Sequence, residues 1–424
     1  MAKLELPEET RARVEAAGEA DLLIAIPAAV RPEQVRAEAE RALAHLATTG
    51  DYARLRTVVS YPGEAGAANG NEAVPEAESA AGPRFLPYAP PAAQLSAISS
   101  ISWLAPAATY RFLFNLAAEL KVKAMAVAAP DLALLQTNSL GSLVAPTLDG
   151  GWDLAMPVYP AGKLEGLLNS SILSPLPRAL YGRRVRFPLA QDFAVSARMV
   201  SASAQPRSLP SPEAHSLFWP ATEAVLRGCK ICQVPIGVHR VNAAEGIDLS
   251  TVLGLTVGPL FGEMETNAAL WQRIRGSEPV GGAGSPAPTP EDGAAADPRS
   301  MLETFQLGFR NLQEIWSMVL PPATLLELKR LSRLSAEQFR MPDDLWVRII
   351  YDFALAHRLR TISRGHLLGA LTPLYLGWVA AHVLEIGSAY PAEAAQRVER
   401  LARAYEDGKP YLLSRWRWPD RFNP

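Results

Sequence analysis

Short apolar runs alternate with amphipathic helical patterns, and this alternation constrains the fold of the chain more than any other feature. The run DLLIAIPAAV at 21–30 predicts a strand buried on both faces, the kind found in parallel sheets. The next segment has Pro32 in its first turn, apolar residues at helical spacing and Gly50 after its end, so it predicts a helix. LRTVVSYPG then predicts a second strand. Strand, helix and strand at this spacing form a βαβ unit.

The alternation continues as far as the run KICQVPIGV. Further helices are predicted at about 104–120 and 138–148, and further strands at AMAVAAPDL and WDLAMPVY. Residues 62–93 are rich in Gly, Ala, Pro and Glu, which predicts a long loop. The predicted fold class is therefore α/β with a mostly parallel sheet.

The last third of the chain is expected to be helical. A Pro/Gly/Ala-rich segment at 276–300 predicts a linker, so we expect domains at 1–275 and 301–424. The uncharged run at 367–381 is shorter than the roughly 20 residues that a membrane span needs, which favours a buried helix pair interrupted at Pro373. The tail SRWRWPDRF is expected to pack back onto its own domain through aromatic and cation–π contacts.

Composition narrows the classes of function. The chain has 424 residues and a formal net charge of −2, so no basic surface points to a nucleic-acid partner. Cys229 and Cys232 form a C-x-x-C pair that predicts buried thiols, with a redox pair and half a zinc site as the alternatives. So few cysteines are typical of a reducing cytoplasm, where we expect the protein.

Polar residues that suit an anion or an acceptor molecule concentrate at 162–193. Guanidinium groups match the oxygens of phosphates and carboxylates, so the arginines of this block predict an anion clamp, with a solvated basic turn as the alternative. The predicted acceptor- or anion-binding residues are Lys163, Asn169, Arg178, Tyr181, Arg184 and Arg186. Asp192 follows them and is the candidate catalytic or acceptor-side residue, the alternative being a surface acid paired with Arg184 or Arg186.

This block, together with GSEPV at 276–280 and ALTPLYLG at 370–377, resembles a bacterial family of GT-A glycosyltransferases similar to mannosylglycerate and glucosylglycerate synthases. The resemblance covers about 15–420 and is most specific in NSSILSPLPRALYGRRVRFPLAQDF and in the C-terminal helices. It implies a GT-A fold with a helical extension, an NDP-sugar donor and a small hydroxylated acceptor such as glycerate. It also implies Mg or Mn, which would bridge the diphosphate and neutralise its charge.

Several positions depart from the pattern of that family. Pro27 is kept after the first strand, and we expect Pro27 and Asp131 to contact the nucleotide sugar. The metal-binding Asp-x-Asp is Ala129-Pro130-Asp131, so its first carboxylate is missing. The resemblance leaves Asp131 and His239 as the candidate metal ligands, and a simple turn acid is the alternative for Asp131.

These departures leave two functions open. One is a divergent glycosyltransferase with little metal dependence. The other is a non-catalytic pseudo-glycosyltransferase that binds a sugar or an anion, or supports an active paralogue. A homo-oligomer is a further expectation for its partners, and a purely structural scaffold is the third and weakest alternative.

Overall fold

The computed structural model describes residues 6–29, 31–48, 50–63, 84–89, 105–205, 217–238, 247–282, 297–387 and 389–419. The chain divides into two compact units that are not continuous in sequence. The first, the sheet unit, comprises Met1–Pro160, Phe187–Ala243 and Val280–Ala287. The second, the helical unit, comprises Ala161–Arg186, Ala244–Pro279 and Pro288–Pro424. The domain boundaries expected from the linker stay a prediction.

The strands form one large sheet and one small ribbon. Their bounds are β1 (Leu22–Ala25), β2 (Thr57–Pro62), β3 (Phe85–Tyr88), β4 (Ala124–Val127), β5 (Leu154–Val158), β6 (Arg183–Arg184), β7 (Phe193–Ser196), β8 (Ile231–Pro235), β9 (Glu278–Pro279) and β10 (Gly281–Gly282). The sheet order is β10-β8-β5-β7-β4-β1-β2-β3, and β6 pairs with β9 separately. Among the described strands of this sheet, β7 alone runs antiparallel to its neighbours.

Helices connect the strands and make up most of the helical unit. In the sheet unit they are α1 (Glu8–Ala17), α2 (Val35–Thr48), α3 (Ala107–Glu119), α4 (Ala133–Gln136), α5 (Ser139–Leu148), α7 (Ala197–Ala204) and α8 (Pro220–Leu226). In the helical unit they are α6 (Pro175–Tyr181), α9 (Leu249–Thr266), α10 (Ala268–Trp271), α11 (Pro298–Val319), α12 (Pro322–Leu331), α13 (Asp343–Leu359), α14 (Arg364–Ile386) and α15 (Pro391–Arg417). The predicted fold class is confirmed as far as a mostly parallel α/β sheet with a helical C-terminal extension.

The edge strand β3 corrects one prediction. Residues 62–93 were expected to form a loop, but Phe85–Tyr88 pair in parallel with β2. A proline inside a run argues against a central strand, and Pro87 is tolerated because an edge strand leaves one side unpaired. Tyr88 is buried and its hydroxyl donates to the carbonyl of Ile26 at 2.9 Å. Long-range pairing therefore made a strand where local composition predicted none.

Two glycines allow β10 to join the sheet, although they lie in the predicted linker. A Cβ on Gly281 would lie 1.9 Å from the Trp152 ring, and Gly282 has a φ of +91°. We predict that Gly281→Ala lowers the free energy of unfolding by about 1–3 kcal/mol, because the indole must move. Equilibrium urea unfolding measures the loss. Gly254→Ala on α9 meets open space and is the control, with an expected gain of about 0.5–1 kcal/mol. Equal midpoints for the two variants would contradict the close packing.

Helix α14 corrects a second prediction. It was expected to be a pair of helices broken at Pro373, but it runs unbroken through that residue. Gly308 of α11 lies so close that a Cβ there would be 2.5 Å from the Pro373 Cβ. The tight fit of α11 on α14 offsets the backbone hydrogen bond that proline removes. Among the described helices α14 alone is long and apolar enough to cross a membrane, and 72% of its apolar window is buried.

The first residues of the predicted tail pack on the helical unit, whereas Trp418 is exposed and residues 420–422 lie outside the described residues. Trp416 is buried at the end of α15 and meets Trp271 edge-to-face at 5.2 Å between ring centroids. The Arg358 guanidinium lies 4.6 Å from the centroid of the Trp416 ring and donates to the Trp416 carbonyl at 2.6 Å. These are the aromatic and cation–π contacts expected for the tail.

Two histidines are buried in the helical unit, which makes its stability depend on pH. Burial lowers the pKa of His357 to about 4, and burial followed by the charge of Arg397 lowers that of His382 to about 4. In the unfolded chain a histidine has a pKa of about 6.5. The contribution of His357 and His382 to the free energy of unfolding is therefore complete above that pH and is lost as the pH falls toward 4. Asp352 has the opposite effect, because burial raises its pKa to about 7. Its contribution to the free energy of unfolding is therefore lost as the pH rises through 7.

We predict that His382→Phe weakens this pH dependence. Between pH 7 and pH 4.5 the variant should lose about 2–3 kcal/mol less of its free energy of unfolding than the parent protein. Urea unfolding at the two pH values tests it. His366→Phe, at an exposed position of the same helix, is the control and should follow the parent. A His382→Phe variant with the parental pH dependence would show that this histidine does not contribute.

Candidate functional site

The strand order places the candidate site at one point of the sheet edge. After β1 the chain builds outward on one side through β2 and β3, whereas β4 lies on the other side of β1. The order therefore reverses between β1 and β4. In open α/β sheets, ligands bind outside the carboxyl ends of the strands at such a switch point. The switch point is bounded by residues 26–29 after β1 and residues 128–131 after β4. The predicted contacts Pro27 and Asp131 therefore lie on the two sides of the switch point.

The β1 side of the switch point is apolar and buried. Pro27 is buried, and its carbonyl accepts a hydrogen bond from the Tyr88 hydroxyl at 3.1 Å. The neighbouring Ile26 is also buried. Pro27 therefore sets the path of the backbone as it leaves the sheet, and its role toward a nucleotide sugar stays a prediction.

The β4 side carries the segment that the family resemblance predicts to be a degraded metal motif. Ala129, predicted to stand in the place of the first carboxylate, is 1% exposed. Asp131 is exposed, and its Oδ1 accepts a hydrogen bond from the Ala133 amide at 3.1 Å. That amide belongs to the first residue of α4, so Asp131 stabilises a helix start, as short polar side chains commonly do. This is the contact expected of the turn-acid alternative.

Asp192 lies directly before β7 and joins three strand ends. Its Oδ1 accepts from the Ala129 amide at 2.9 Å, and its Oδ2 accepts from the Tyr159 hydroxyl at 2.8 Å. Tyr159 follows β5, and Ala129 lies two residues after β4. Asp192 is 0% exposed, so the alternative of a surface acid is wrong. The structure thus brings together the catalytic candidate and the degraded motif, two features that the sequence could not connect.

An aromatic cluster lies beside this carboxylate. Phe218 contacts Tyr110 at 4.9 Å and Phe193 at 5.9 Å between ring centroids. Burial, and to a lesser extent the charge of Asp192, raise the pKa of Tyr110. Leu217 is buried and pairs with Pro106. The cluster therefore gives the Asp192 carboxylate an apolar neighbour on one side.

Two buried polar atoms at this edge are left without a hydrogen-bond partner among the described residues. They are Oε1 of Gln191 and Nε1 of Trp219. Gln191 directly precedes Asp192, and Trp219 follows Phe218, whose ring packs on the first residue of β7.

The described residues do not fit a divalent metal. Hard cations such as Mg²⁺ need several oxygen ligands, usually carboxylates. Within the described part of the chain no group of three or more His, Cys, Asp or Glu side chains is placed to hold an ion. At the switch point, Ala129 offers no side-chain ligand and both Asp192 oxygens accept hydrogen bonds from the protein. The candidate ligand His239 lies outside the described residues.

The predicted anion-binding residues belong to the helical unit, where Arg178 is the most buried of the charged ones. Its guanidinium donates to both Glu399 oxygens, at 2.6 and 3.0 Å, and to Oε1 of Glu406 at 2.8 Å. The Arg178 side chain is 7% exposed. The hydrogen bond from Arg178 lowers the pKa of Glu399 to about 2. The three donor contacts tie α6 to α15.

The other predicted residues of this block also make contacts within the helical unit. Asn169 begins a π-helical turn, Asn169–Leu173, and donates to the carbonyl of Arg186 at 2.9 Å. Lys163 donates to the Gly387 carbonyl at 2.8 Å, just past the end of α14. Tyr181 donates weakly to the carbonyl of Glu263 at 3.4 Å. Arg186 is exposed to solvent.

Arg184 differs from Arg178 because it is exposed. It lies on the β6–β9 ribbon and donates to Ser277 through the hydroxyl at 3.0 Å and the carbonyl at 3.2 Å. Among the predicted anion contacts, Arg184 is therefore held in place while its outer face meets solvent. The binding roles of all six residues stay predictions.

The cysteine pair has the environment expected of buried thiols. Cys232 is buried on β8, and Cys229 is half-buried just before that strand. Burial raises the pKa of Cys232 to about 12 and also raises that of Cys229. Reactive cysteines need a lowered pKa, so neither thiol is activated.

Sequence reasoning missed Tyr159, Gln191 and Trp219. Tyr159 carried a usable signal, because it is the last residue of the predicted strand WDLAMPVY and the carboxyl ends of parallel strands share one edge. Gln191 and Trp219 carried none, because an unpaired buried atom can be recognised only once its surroundings are known.

Comparison with known proteins gives little beyond this geometry. No protein-family model and no curated protein sequence matches the chain. Among solved structures, the chain is similar to glucosyl-3-phosphoglycerate synthase from Mycobacterium tuberculosis, in complex with Mn²⁺, UDP-glucose and phosphoglyceric acid. The identity is 16% over 62% of this chain and 85% of that chain, with a TM-score of 0.33. A similarity of this degree carries no argument about activity.

Proposed function

We propose that this chain is a glycosyltransferase-type protein that has kept a GT-A-like fold but lost metal-dependent sugar transfer, and that it binds a sugar or an anion. One observation carries the proposal. The place of the first metal carboxylate is taken by buried Ala129, whose amide binds Asp192 instead. A diphosphate leaving group needs charge neutralisation, which a bound cation commonly supplies. The protein would act alone in the cytoplasm or together with an active paralogue.

Ligand-dependent thermal stability and sugar transfer test this proposal together. UDP-glucose and GDP-mannose are offered with glycerate, with and without Mn²⁺ or Mg²⁺. We expect no transfer above background and no stabilisation that requires the metal, since only a ligand that binds the folded state raises the melting temperature. Metal-dependent transfer to glycerate would refute the proposal.

Transfer from an NDP-sugar to a small hydroxylated acceptor such as glycerate is the second candidate function. The exposed and oriented guanidinium of Arg184 favours it, because such a group can hold the carboxylate of an acceptor. Arg184→Ala should then weaken glycerate binding about tenfold or more. Unchanged affinity would remove this support.

A further inference from the structure

We infer that the outward side of α12, in the helical unit, binds an anionic lipid surface and so holds the protein at a membrane without crossing it. Three features carry this inference. They are a set of cations without ion-pair partners at helical spacing, a further cation on the neighbouring α11, and an exposed leucine among the cations. The inference does not depend on whether the sheet unit transfers a sugar.

The outward side of α12 is basic. Lys329, Arg330 and Arg333 follow Leu326 at three, four and seven positions, which is the spacing of one helical face. Arg333 lies in the turn after α12, where its amide still donates to the Arg330 carbonyl at 3.2 Å. The three cations are exposed, and none of them forms an ion pair with the described residues. The buried side chains of this helix lie on its opposite side: Thr324, Leu328 and Leu331.

Nearby acids do not neutralise this side of α12. Residues 328–340 contain four cations and one acid, although the whole chain has a formal net charge of −2. Glu327 on the flank of α12 is paired with Arg348 of α13, at 2.9 and 3.0 Å. The guanidinium of Arg340 donates to two backbone carbonyls, which are neutral acceptors. A local excess of positive charge therefore faces solvent, and it attracts negatively charged surfaces over roughly 8 Å at physiological ionic strength.

Helix α11 adds one more cation beside α12. The side-chain amide of Gln306 donates to the carbonyl of Leu334 at 3.1 Å, which places the end of the α12 segment next to the middle of α11. Arg310 follows Gln306 by four residues and therefore lies one turn further along the same side of α11. Arg310 is exposed and forms no ion pair with the described residues. The basic side is thus shared by two neighbouring helices.

Exposed apolar side chains favour a lipid surface over a polyanion. Leu326 lies among the cations and is 69% exposed, and Leu307 and Met318 of α11 are also exposed. An anionic leaflet offers its phosphates to the cations and its acyl boundary to the leucine. The stems of lysine and arginine can lie along that apolar boundary while their charged groups stay with the phosphates. A phosphodiester backbone, in contrast, gives Leu326 no apolar partner.

Co-sedimentation of the full chain with lipid vesicles tests the inference. One set of vesicles is equimolar phosphatidylcholine and phosphatidylglycerol, and the other is phosphatidylcholine alone. We expect binding to the anionic vesicles only, and weaker binding at high ionic strength. Arg330→Gln/Arg333→Gln should weaken this binding about 25-fold, because each cation near an anionic leaflet contributes about fivefold. Leu326→Gln should weaken it about tenfold, because the leucine no longer enters the acyl boundary.

Controls separate the α12 side from general charge effects. Arg54→Gln/Arg84→Gln removes two exposed arginines of the sheet unit, so it changes the net charge equally and should leave vesicle binding unchanged. Circular dichroism melting shows whether each variant is folded, and Lys329→Gln provides an independent variant with an expected loss of about fivefold. No binding to the anionic vesicles, or equal losses in the two double variants, overturns the inference. Binding to polyglutamate without binding to vesicles also overturns it and points to an acidic protein instead.

Discussion

Asp192→Ala is expected to destabilise the sheet unit by about 3–5 kcal/mol. The substitution removes a buried carboxylate and leaves two donors, the Ala129 amide and the Tyr159 hydroxyl, unsatisfied in a dry environment. Each hydrogen bond to a charged group contributes about 1.5–3 kcal/mol, and an unpaired buried donor costs its full desolvation penalty. The ends of β4 and β5 should loosen together, because Asp192 joins both to the start of β7.

Hydrogen exchange of amides in β4 and β7, combined with urea unfolding, measures this loss. Asp192→Asn is the matched control, since its amide keeps the acceptor for Ala129 and can donate to the Tyr159 oxygen. It should cost about 1 kcal/mol. Tyr159→Phe removes one of the two hydrogen bonds to Asp192. It should lower the free energy of unfolding by about 2 kcal/mol, between the losses for Asp192→Asn and Asp192→Ala. If Asp192→Ala kept the parental stability while abolishing a measured transfer activity, Asp192 would be catalytic and not a tie between strands.

Arg178→Ala is expected to destabilise the helical unit by about 3 kcal/mol. The guanidinium is buried and holds Glu399 in a fork and Glu406 through a single bond. Its loss leaves Glu399 with the guanidinium of Arg403, and Glu406 with the hydroxyl of Ser277, in place of the buried charge. Removing one member of a buried ion pair typically costs about 3–5 kcal/mol. We expect a loss at the lower end of this range, because the Glu399 side chain is 40% exposed and can be hydrated once Arg178 is removed.

Arg184→Ala is the matched control for this prediction. It deletes the same side chain at an exposed position of the same block, so the expected change is within about 0.5 kcal/mol. Arg178→Lys keeps the charge but loses the fork and should cost about half as much as the alanine variant, roughly 1–2 kcal/mol. Urea unfolding of the three variants is compared. If the Arg178→Ala protein were as stable as the Arg184→Ala protein, the structural role of Arg178 would be contradicted. Arg178 would then again be a candidate for binding an anion.

The architecture was readable from the sequence because it depends on local patterns. The βαβ unit around Pro32, the helix at 138–148 and the helical last third each rest on spacing within 10 to 20 residues. The patterns failed where distant residues override local preference. Phe85–Tyr88 is a strand because β2 offers an open edge, and α14 passes through Pro373 because Gly308 packs against it.

The candidate site divides in the same way. The sequence by itself determined the residues Ala129-Pro130-Asp131, and the family resemblance predicts from them that a metal carboxylate is missing. It also determined that arginines cluster at 178–186. Only the tertiary structure decided that Asp192 bonds to Ala129 across 63 positions of chain, and that Arg178 pairs with Glu399 across 221. The physical reason is that the burial and the hydrogen-bond partners of a side chain depend on which strand and helix ends lie next to each other in the fold. A local sequence pattern does not contain that information.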